Sequence, residues 1–536
     1  MAEPDRAGED ARRQRYYDQG YWQSEDLWTS IANVARERGA AIAFKHDDRS
    51  ISFAALAAAA ERLGASLQRH GIARGELVVI HARNGIESAI ALAGCAWLGA
   101  VAVPLPPIFT ESQVRAVVES SGARAVFCLS KPAEIDRAAR AAFTCSSISL
   151  VVVPDEHPSD LEVTRWSTLL EGAPGESRQP VDADALAMLI YSSGTTGAPK
   201  GVMHSANTLR YAAHQRAAMH GVGADDICAL VCQFGFVGGV VFGMLTAMLV
   251  GPTTIIVSNW NAGDTLRLIE RERVTYGLFM PTHTHDLLSA PELDEIDVSS
   301  LRHAAMGGIT EEKREEVRER LCPLPFPGYG MSECLGHASC DAAAPLDKLM
   351  RTEGRPYPGT EMIVQDATGK TLPPGTPGSV LVRGPSRCLG YFRSPELTAA
   401  AFTEDGFFRT GDICMLDEQS YVTFVGREKD IIRRGAVTII PAEVENALMR
   451  HPRIREAAVV GLFDSRLGER PCACLITSDG APLDLDTITA FLDAEGVARY
   501  MWPESVALFD EFPRTPSLKV MKPALVQQMS REAVGQ

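Results

Sequence analysis

Between Leu189 and Gly201 the chain reads Leu-Ile-Tyr-Ser-Ser-Gly-Thr-Thr-Gly-Ala-Pro-Lys-Gly. An apolar run of strand type feeds a turn rich in hydroxyls and glycine, and a lysine closes it. A strand ending in such a turn aims backbone N–H groups and hydroxyls into one small volume, which suits a polyphosphate. Gly194, Gly197 and Gly201 permit close backbone approach, and Pro199 stiffens the exit. Ser192, Ser193, Thr195 and Thr196 bring the hydroxyls, and Lys200 a point charge. The spacing is not that of the P-loop, because Lys200 stands three residues past Gly197 and Gly201 follows it.

Further stretches carry complementary chemistry. Gly328-Tyr-Gly-Met-Ser-Glu333 sets an aromatic between two glycines, so that its ring can lie flat against a ligand base. Ser332 and Glu333 then present a hydroxyl and a carboxylate. A carboxylate beside a phosphate is best explained by a bridging cation, which makes Glu333 a magnesium ligand. In Phe408-Arg-Thr-Gly-Asp412 an aspartate follows a glycine turn and is suited to accept both ribose hydroxyls, although such a turn is commonplace by itself. Gly426-Arg-Glu-Lys-Asp430 concentrates charge that a solvated linker would also carry. Lys519, near the end of the chain, is by type an ordinary surface charge. Cys232-Gln-Phe-Gly-Phe-Val-Gly-Gly239 offers Phe236 and Gly239 as pocket residues, or Phe236 as a core aromatic. His283 and His285 lack a third metal ligand nearby and read as pocket lining at most.

The elements that must position these residues alternate in type. Phe53 to Leu67, Glu87 to Leu98, Ser112 to Ser121 and Asp264 to Arg273 have helical spacing. Glu76 to Ile80, Val101 to Val103, Ala125 to Cys128, Thr253 to Val257 and Gly277 to Met280 read as strands, so parallel βαβ units are expected. Near Arg355 the texture turns antiparallel: two apolar runs flank the turn-rich segment from Ala367 to Gly378, as in a small barrel or sheet. Past Arg427, strands at Ala457 to Leu462, Pro471 to Ile476 and Ser505 to Phe509 with a helix over Leu485 to Ala494 predict a compact α+β unit.

At 536 residues the chain exceeds one ordinary core and should divide into domains. A net charge of −16 with no long basic run argues against a nucleic-acid or anionic-membrane surface. Twelve cysteines without a framework suggest buried thiols in a reducing, cytoplasmic compartment. The uncharged stretches Ser88 to Thr110 and Ile227 to Gly263 are broken by glycine, proline and polar residues. Each reads as a buried helix joined to a buried strand, not a membrane span.

The segment Tyr191 to Gly201 also resembles the signature loop of the adenylate-forming superfamily: acyl- and aryl-CoA ligases, peptide-synthetase adenylation domains and luciferases. The other motifs stand in that family's order from about Trp28 to Lys522. The resemblance implies that Ser192, Ser193, Gly194, Thr195, Thr196, Gly197 and Lys200 hold the β- and γ-phosphates. Gly307 and Gly308 form a turn beside adenine, Tyr329 between Gly328 and Gly330 stacks on the base, and Ser332 meets the α-phosphate. Glu333 and Thr195 would hold magnesium, Asp412 the ribose and Arg427 the nucleotide, with Lys429 as hinge. Lys519 would bridge the carboxylate and the α-phosphate, making Lys519, Glu333 and Ser332 the catalytic set. Phe236, Gly239, Ile309 and Met331 would line the acyl pocket. Relatives often carry alanine in place of Ile309, and usually glycine in place of Ala436 and of Leu518.

The implied fold is α/β. A large N-terminal domain of stacked βαβ sandwiches with a small β-barrel (1–428) precedes a small, mobile α+β domain (429–536). The implied reaction uses ATP, magnesium and a small-to-medium acid (aryl, alicyclic or acyl), with CoA as acceptor, in a monomer or homodimer. Tyr16 to Trp22 and Ser465 to Arg470 resemble the aryl-, cyclohexanecarboxylate- and acyl-CoA ligase branch. Rival readings are an acyl-AMP ligase loading a carrier-protein phosphopantetheine, a nucleotide-binding pseudoenzyme, and a membrane or structural protein. The acid itself is not named by the sequence.

Overall fold

The computed structural model describes residues 6–173, 178–192, 199–435, 437–515 and 519–534. The phosphate-loop residues Ser193, Gly194, Thr195, Thr196 and Gly197, together with Ala436 and Leu518, lie outside them. The chain packs as two compact units, one of residues 1–361 and 382–408, the other of 362–381 and 409–536.

In the first unit an eight-stranded sheet is built outward from Leu77–Ala82, whose neighbours are Val101–Leu105 and Ala125–Leu129. These pair in parallel, as expected where helices cross between successive strands. All six residues of Leu77–Ala82 are buried, so both sheet faces are covered. The strand expected over Val101 to Val103 runs two residues further, to Leu105: Pro104 sits opposite Ile80, because its fixed φ is compatible with an extended strand. Leu186–Ser192 joins this sheet beside Val101–Leu105 and turns back antiparallel through Lys200–Ser205, with Gly390–Tyr391 at the edge.

A seven-stranded sheet holds Ile227–Leu230 between Thr253–Ile256 and Tyr276–Leu278, continuing through His303–Ala305 to Leu324–Phe326. One apolar core includes Val78 and Ile80 of the first sheet, Phe44 and Leu230 of the second, and the helices between them. Both uncharged stretches resolve as buried helix plus buried strand. Ile86–Leu98 runs into Val101–Leu105, and the helical segment from Val237 to Val250 runs into Thr253–Ile256. Among the described residues no helix is long and apolar enough to cross a membrane. All twelve cysteines are free and buried.

The turn-rich region forms a four-stranded sheet in the order Glu361–Gln365, Gly378–Arg383, Phe408–Leu416 and Val422–Arg427. The C-terminal strands Ile454–Asp464 and Gly468–Thr477 pair antiparallel, and Ser505–Leu508 adds in parallel. Helices Pro441–Leu448 and Leu485–Ala494 contribute buried Val444, Leu448, Ile488 and Leu492 to the core of this α+β unit.

Helices Phe53–Arg69 and Ile86–Leu98 touch through small residues: a Cβ on Gly64 would stand 2.3 Å from Trp97 Cε3. The indole is enclosed and cannot retreat freely. Gly64→Ala should therefore cost about 1–3 kcal/mol. A denaturant titration would show this as a lower midpoint with an unchanged slope.

Candidate functional site

The strand Leu186–Ser192 is apolar up to Tyr191, whose ring is buried. Pairing with Lys200–Ser205 sets Ser192 opposite Lys200 and Tyr191 opposite Gly201. The hydroxyl- and glycine-rich turn is thus the connection of an antiparallel hairpin, and Lys200 opens its return strand. A Cβ on Gly201 would stand 3.2 Å from the Tyr191 ring, so this glycine makes room for the tyrosine.

The edge pair Gly390–Tyr391 lies against Val202 and Met203. From there the Tyr391 hydroxyl donates to Glu333 Oε1 at 2.9 Å, and Lys200 Nζ lies 5.7 Å from the centre of the Tyr391 ring. Burial, and then the Glu333 carboxylate, push the Tyr391 pKa up, so the phenol stays a donor. The backbone is fixed as well: Cys388 N–H donates to the Glu333 carbonyl at 2.7 Å. Lys200 and Glu333, 133 residues apart in sequence, thus meet through one tyrosine.

Ser332 is held by His204, whose Nε2–H donates to the Ser332 carbonyl at 2.8 Å while Nδ1 lies 3.2 Å from Thr208 Oγ1. Burial lowers the His204 pKa to about 4, so the ring remains neutral and keeps one tautomer. Tyr329 is buried and packs edge-on to His337, with ring centres 4.4 Å apart. The flanking glycines have a steric reason: a Cβ on Gly307 would reach 2.6 Å from Gly328 O, and one on Gly330 2.5 Å from Gly336 Cα. Gly308 holds φ +75°, a left-handed conformation that side chains disfavour.

The pocket candidates occupy different settings. Phe234 is the fully buried core aromatic, whereas Phe236 is half-buried at the start of the helical turn Val237–Gly239. A Cβ on Gly239 would meet Gln233 O at 2.2 Å. Ile309 packs on the apolar cluster that contains Phe279 and Met306, and Met331 is half-buried. His283 accepts from Met280 N–H, stacks near Trp260 and, through burial, has its pKa lowered to about 4, whereas His285 is exposed. That is a helix-capping histidine.

In the second unit, Asp412 and Arg427 face each other across paired strands, with Arg427 Nε 3.2 Å from Asp412 Oδ1. Asp412 is only 2% exposed. The turn before it is locked, since Asp412 N–H donates to Thr410 Oγ1 and Thr410 donates to Val380 O. Lys429 sits exposed in the short turn Glu428–Asp430. Gly435 has φ +61°, and its N–H donates to Leu467 O at 2.6 Å. Lys519 is exposed on the return arm of a small hairpin, its N–H donating to Thr515 Oγ1 and its carbonyl accepting from Thr515 N–H.

Residues 31–392 match the family model described as AMP-binding enzyme, and residues 443–519 match the AMP-binding enzyme C-terminal domain. The chain belongs to the AMP-binding enzyme family. It is an adenylate-forming enzyme, of the AMP-forming acid–thiol ligase type. It is 31% identical to a medium-chain fatty-acid–CoA ligase of Escherichia coli (strain K12), over 97% of this chain and 93% of that one. A salicyl-AMP ligase / salicyl-S-ArCP synthetase of Mycobacterium tuberculosis is 30% identical, with 97% and 93% covered. Among solved structures, ATP-bound MatB from Rhodopseudomonas palustris superposes with a TM-score of 0.86 at 25% identity, covering 94% of this chain and 99% of that one.

Two residues of this adenylate-forming enzyme escape motif reading. Tyr391 lies in Cys-Leu-Gly-Tyr-Phe, whose types announce packing, and only the sheet edge brings it to Glu333. His204 leaves one signal, a lone imidazole ending the apolar run Val202–Met203. Glu333 presents a hard oxygen ligand, already oriented by the phenol, and such a carboxylate fits magnesium. Tyr391→Phe removes that orientation. It should raise the magnesium concentration needed for half-maximal ATP binding by about tenfold, measured by calorimetry, with little change in melting temperature.

Proposed function

We propose that this enzyme activates a small-to-medium carboxylic acid (aryl, alicyclic or acyl) as an acyl-adenylate and transfers the acyl group to the thiol of CoA. The observation that supports this most is the meeting of Lys200, Tyr391 and Glu333 beside the hairpin that carries the hydroxyl-rich turn. It joins a phosphate charge to a metal-type carboxylate within the first unit.

The acid's carboxylate is the nucleophile and needs no general base. It attacks the α-phosphorus, the bond to the β-phosphate oxygen breaks, and pyrophosphate leaves. Ser192, Ser193, Gly194, Thr195, Thr196, Gly197 and Lys200 bind the leaving β- and γ-phosphates. Glu333 and Thr195 would hold magnesium, which when bound neutralises charge between phosphate oxygens. Tyr329 stacks on adenine within the glycine-lined turn of Gly307, Gly308, Gly328 and Gly330, and Ser332, held by His204, meets the α-phosphate. In the second unit Asp412 takes the ribose hydroxyls, with Arg427 beside it on the nucleotide. Lys519 stabilises charge developing on the α-phosphate. Phe236, Gly239, Ile309 and Met331 line the acyl pocket. Lys429 is the hinge of a mobile domain 429–536 that alternates between the two half-reactions.

The similarity to an enzyme named salicyl-S-ArCP synthetase, at nearly the same identity and coverage as the CoA ligase, keeps a carrier-protein phosphopantetheine as a second acceptor. With acid, ATP and magnesium, mass spectrometry of products formed with CoA alone or with phosphopantetheinyl carrier protein alone decides between them; thioester with CoA is expected. Lys519→Ala should lower acid-dependent ATP–pyrophosphate exchange by about 10²–10³-fold, while thioester formation from a supplied acyl-adenylate persists. Exchange with no acid in a broad panel would sink the enzymatic reading.

A further inference from the structure

Arg216 stands in the last turn of the helix Ala206–Met219, and nothing in the proposed mechanism uses it. Its guanidinium carbon lies 4.3 Å from the centre of the Phe242 ring, and a Cβ on Gly328 would stand 3.9 Å from Nη2. Its nearest electrostatic neighbours include the phenols of Tyr276 and Tyr357 and the thiol of Cys232. Among the described residues no carboxylate pairs with it: its buried Nε has no hydrogen-bond partner, and its side-chain hydrogen bonds run to the neutral phenols of Tyr276 and Tyr357. A guanidinium keeps its charge in any protein setting, so burial without a counter-ion is costly.

Arg314 of the same unit, whose Nε is likewise without a partner, shows what a purely structural internal arginine gathers at its other nitrogens. Its nitrogens donate to the carbonyls of Leu349, Met350 and Thr352 and to the Glu353 carboxylate. Arg216 has neutral phenols in place of that carboxylate.

Its place is behind the acyl side of the first unit. Gly328, against Nη2, opens the Gly-Tyr-Gly strand, and its carbonyl backs Gly307. Phe242 lies one turn after Gly239, and its ring would be 3.0 Å from a Cβ on Gly336, which in turn backs Gly330. A cavity of about 20 Å³ opens among Arg216, Phe242, Thr246, Tyr276 and Leu278. The rest of its lining is mostly apolar, and it has room for one water-sized group beside the guanidinium.

We infer that Arg216 is an anion receptor at the far end of the acyl pocket, and that the acid activated here carries a second carboxylate remote from the one adenylated. This rests on the adenylation reading above and names its substrate class. The fork of guanidinium donors matches a carboxylate, and the phenol of Tyr357, which accepts from Arg216, keeps its own O–H as a donor beside it.

The test compares matched acids in ATP–pyrophosphate exchange: adipic, pimelic and terephthalic acids against hexanoic, heptanoic and p-toluic acids. The wild-type enzyme should favour the diacid of at least one pair by about tenfold or more in kcat/KM, a ratio that needs no variant to fold. Arg216→Met should lower kcat/KM for that diacid by about 100-fold, mainly through KM, with the neutral partner changing less than threefold. Arg216→Lys should fall between the two. Wild-type preference for the neutral acid in every pair, or equal losses for both classes in Arg216→Met, would overturn the inference alone. Exchange with no acid at all would remove the adenylation reading and this one together.

Discussion

The antiparallel pairing of Leu186–Ser192 with Lys200–Ser205 is the contact on which the first unit's chemistry depends. It extends a parallel sheet by a hairpin and so returns Lys200 to the level of Ser192. It also creates a new edge, and onto that edge fits the two-residue strand Gly390–Tyr391. Without the edge, Tyr391 would have no fixed position and its bond to Glu333 no support. A backbone ladder thereby sets the orientation of a carboxylate far away in sequence, at the cost of one phenol kept protonated by burial. Pre-orientation of this kind lets a cation or polyphosphate bind without first ordering its ligands.

The second unit solves a similar problem with the same device. Asp412 and Arg427 are directly opposed residues of paired strands, so the carboxylate is enclosed yet aligned by its neighbour. Thr410 ties the turn to Val380, which leaves the aspartate little rotational freedom. In both units a strand ladder fixes charged residues of the motifs: Lys200 opens one strand, Arg427 ends another, and Asp412 lies enclosed opposite it.

Much of this was legible in the residues. The alternation of strand and helix from Phe53 to Met280 follows from period and from alanine- or valine-rich runs, and the structure has each of those elements within a few residues. The motif glycines were legible by type and spacing, and the structure supplies the reason: a methyl group on Gly307 or Gly330 would meet the backbone of Gly328 or Gly336. What escaped depends on distant pairing. Tyr391 and His204 carry no spacing signal, since their partners Glu333 and Ser332 lie over a hundred residues away from His204 and nearly sixty from Tyr391. Phe236 could not be told from a core aromatic by type; the structure gives the buried role to Phe234 instead. Residues 193–198, the most recognisable part of the sequence, are not among the described residues, and the support for a phosphate cradle is the pairing of the strands that flank them.

The central claim is that the acid's own oxygen attacks the α-phosphorus. An acid labelled with ¹⁸O in both carboxylate oxygens, incubated with enzyme, ATP, magnesium and CoA, tests it by mass spectrometry of the nucleotide product. Transfer of one ¹⁸O into AMP, with unlabelled pyrophosphate, is the predicted result, because the oxygen that bridges acyl and phosphoryl groups stays with AMP when the thiol attacks the acyl carbon. Formation of ADP with label in inorganic phosphate would contradict it.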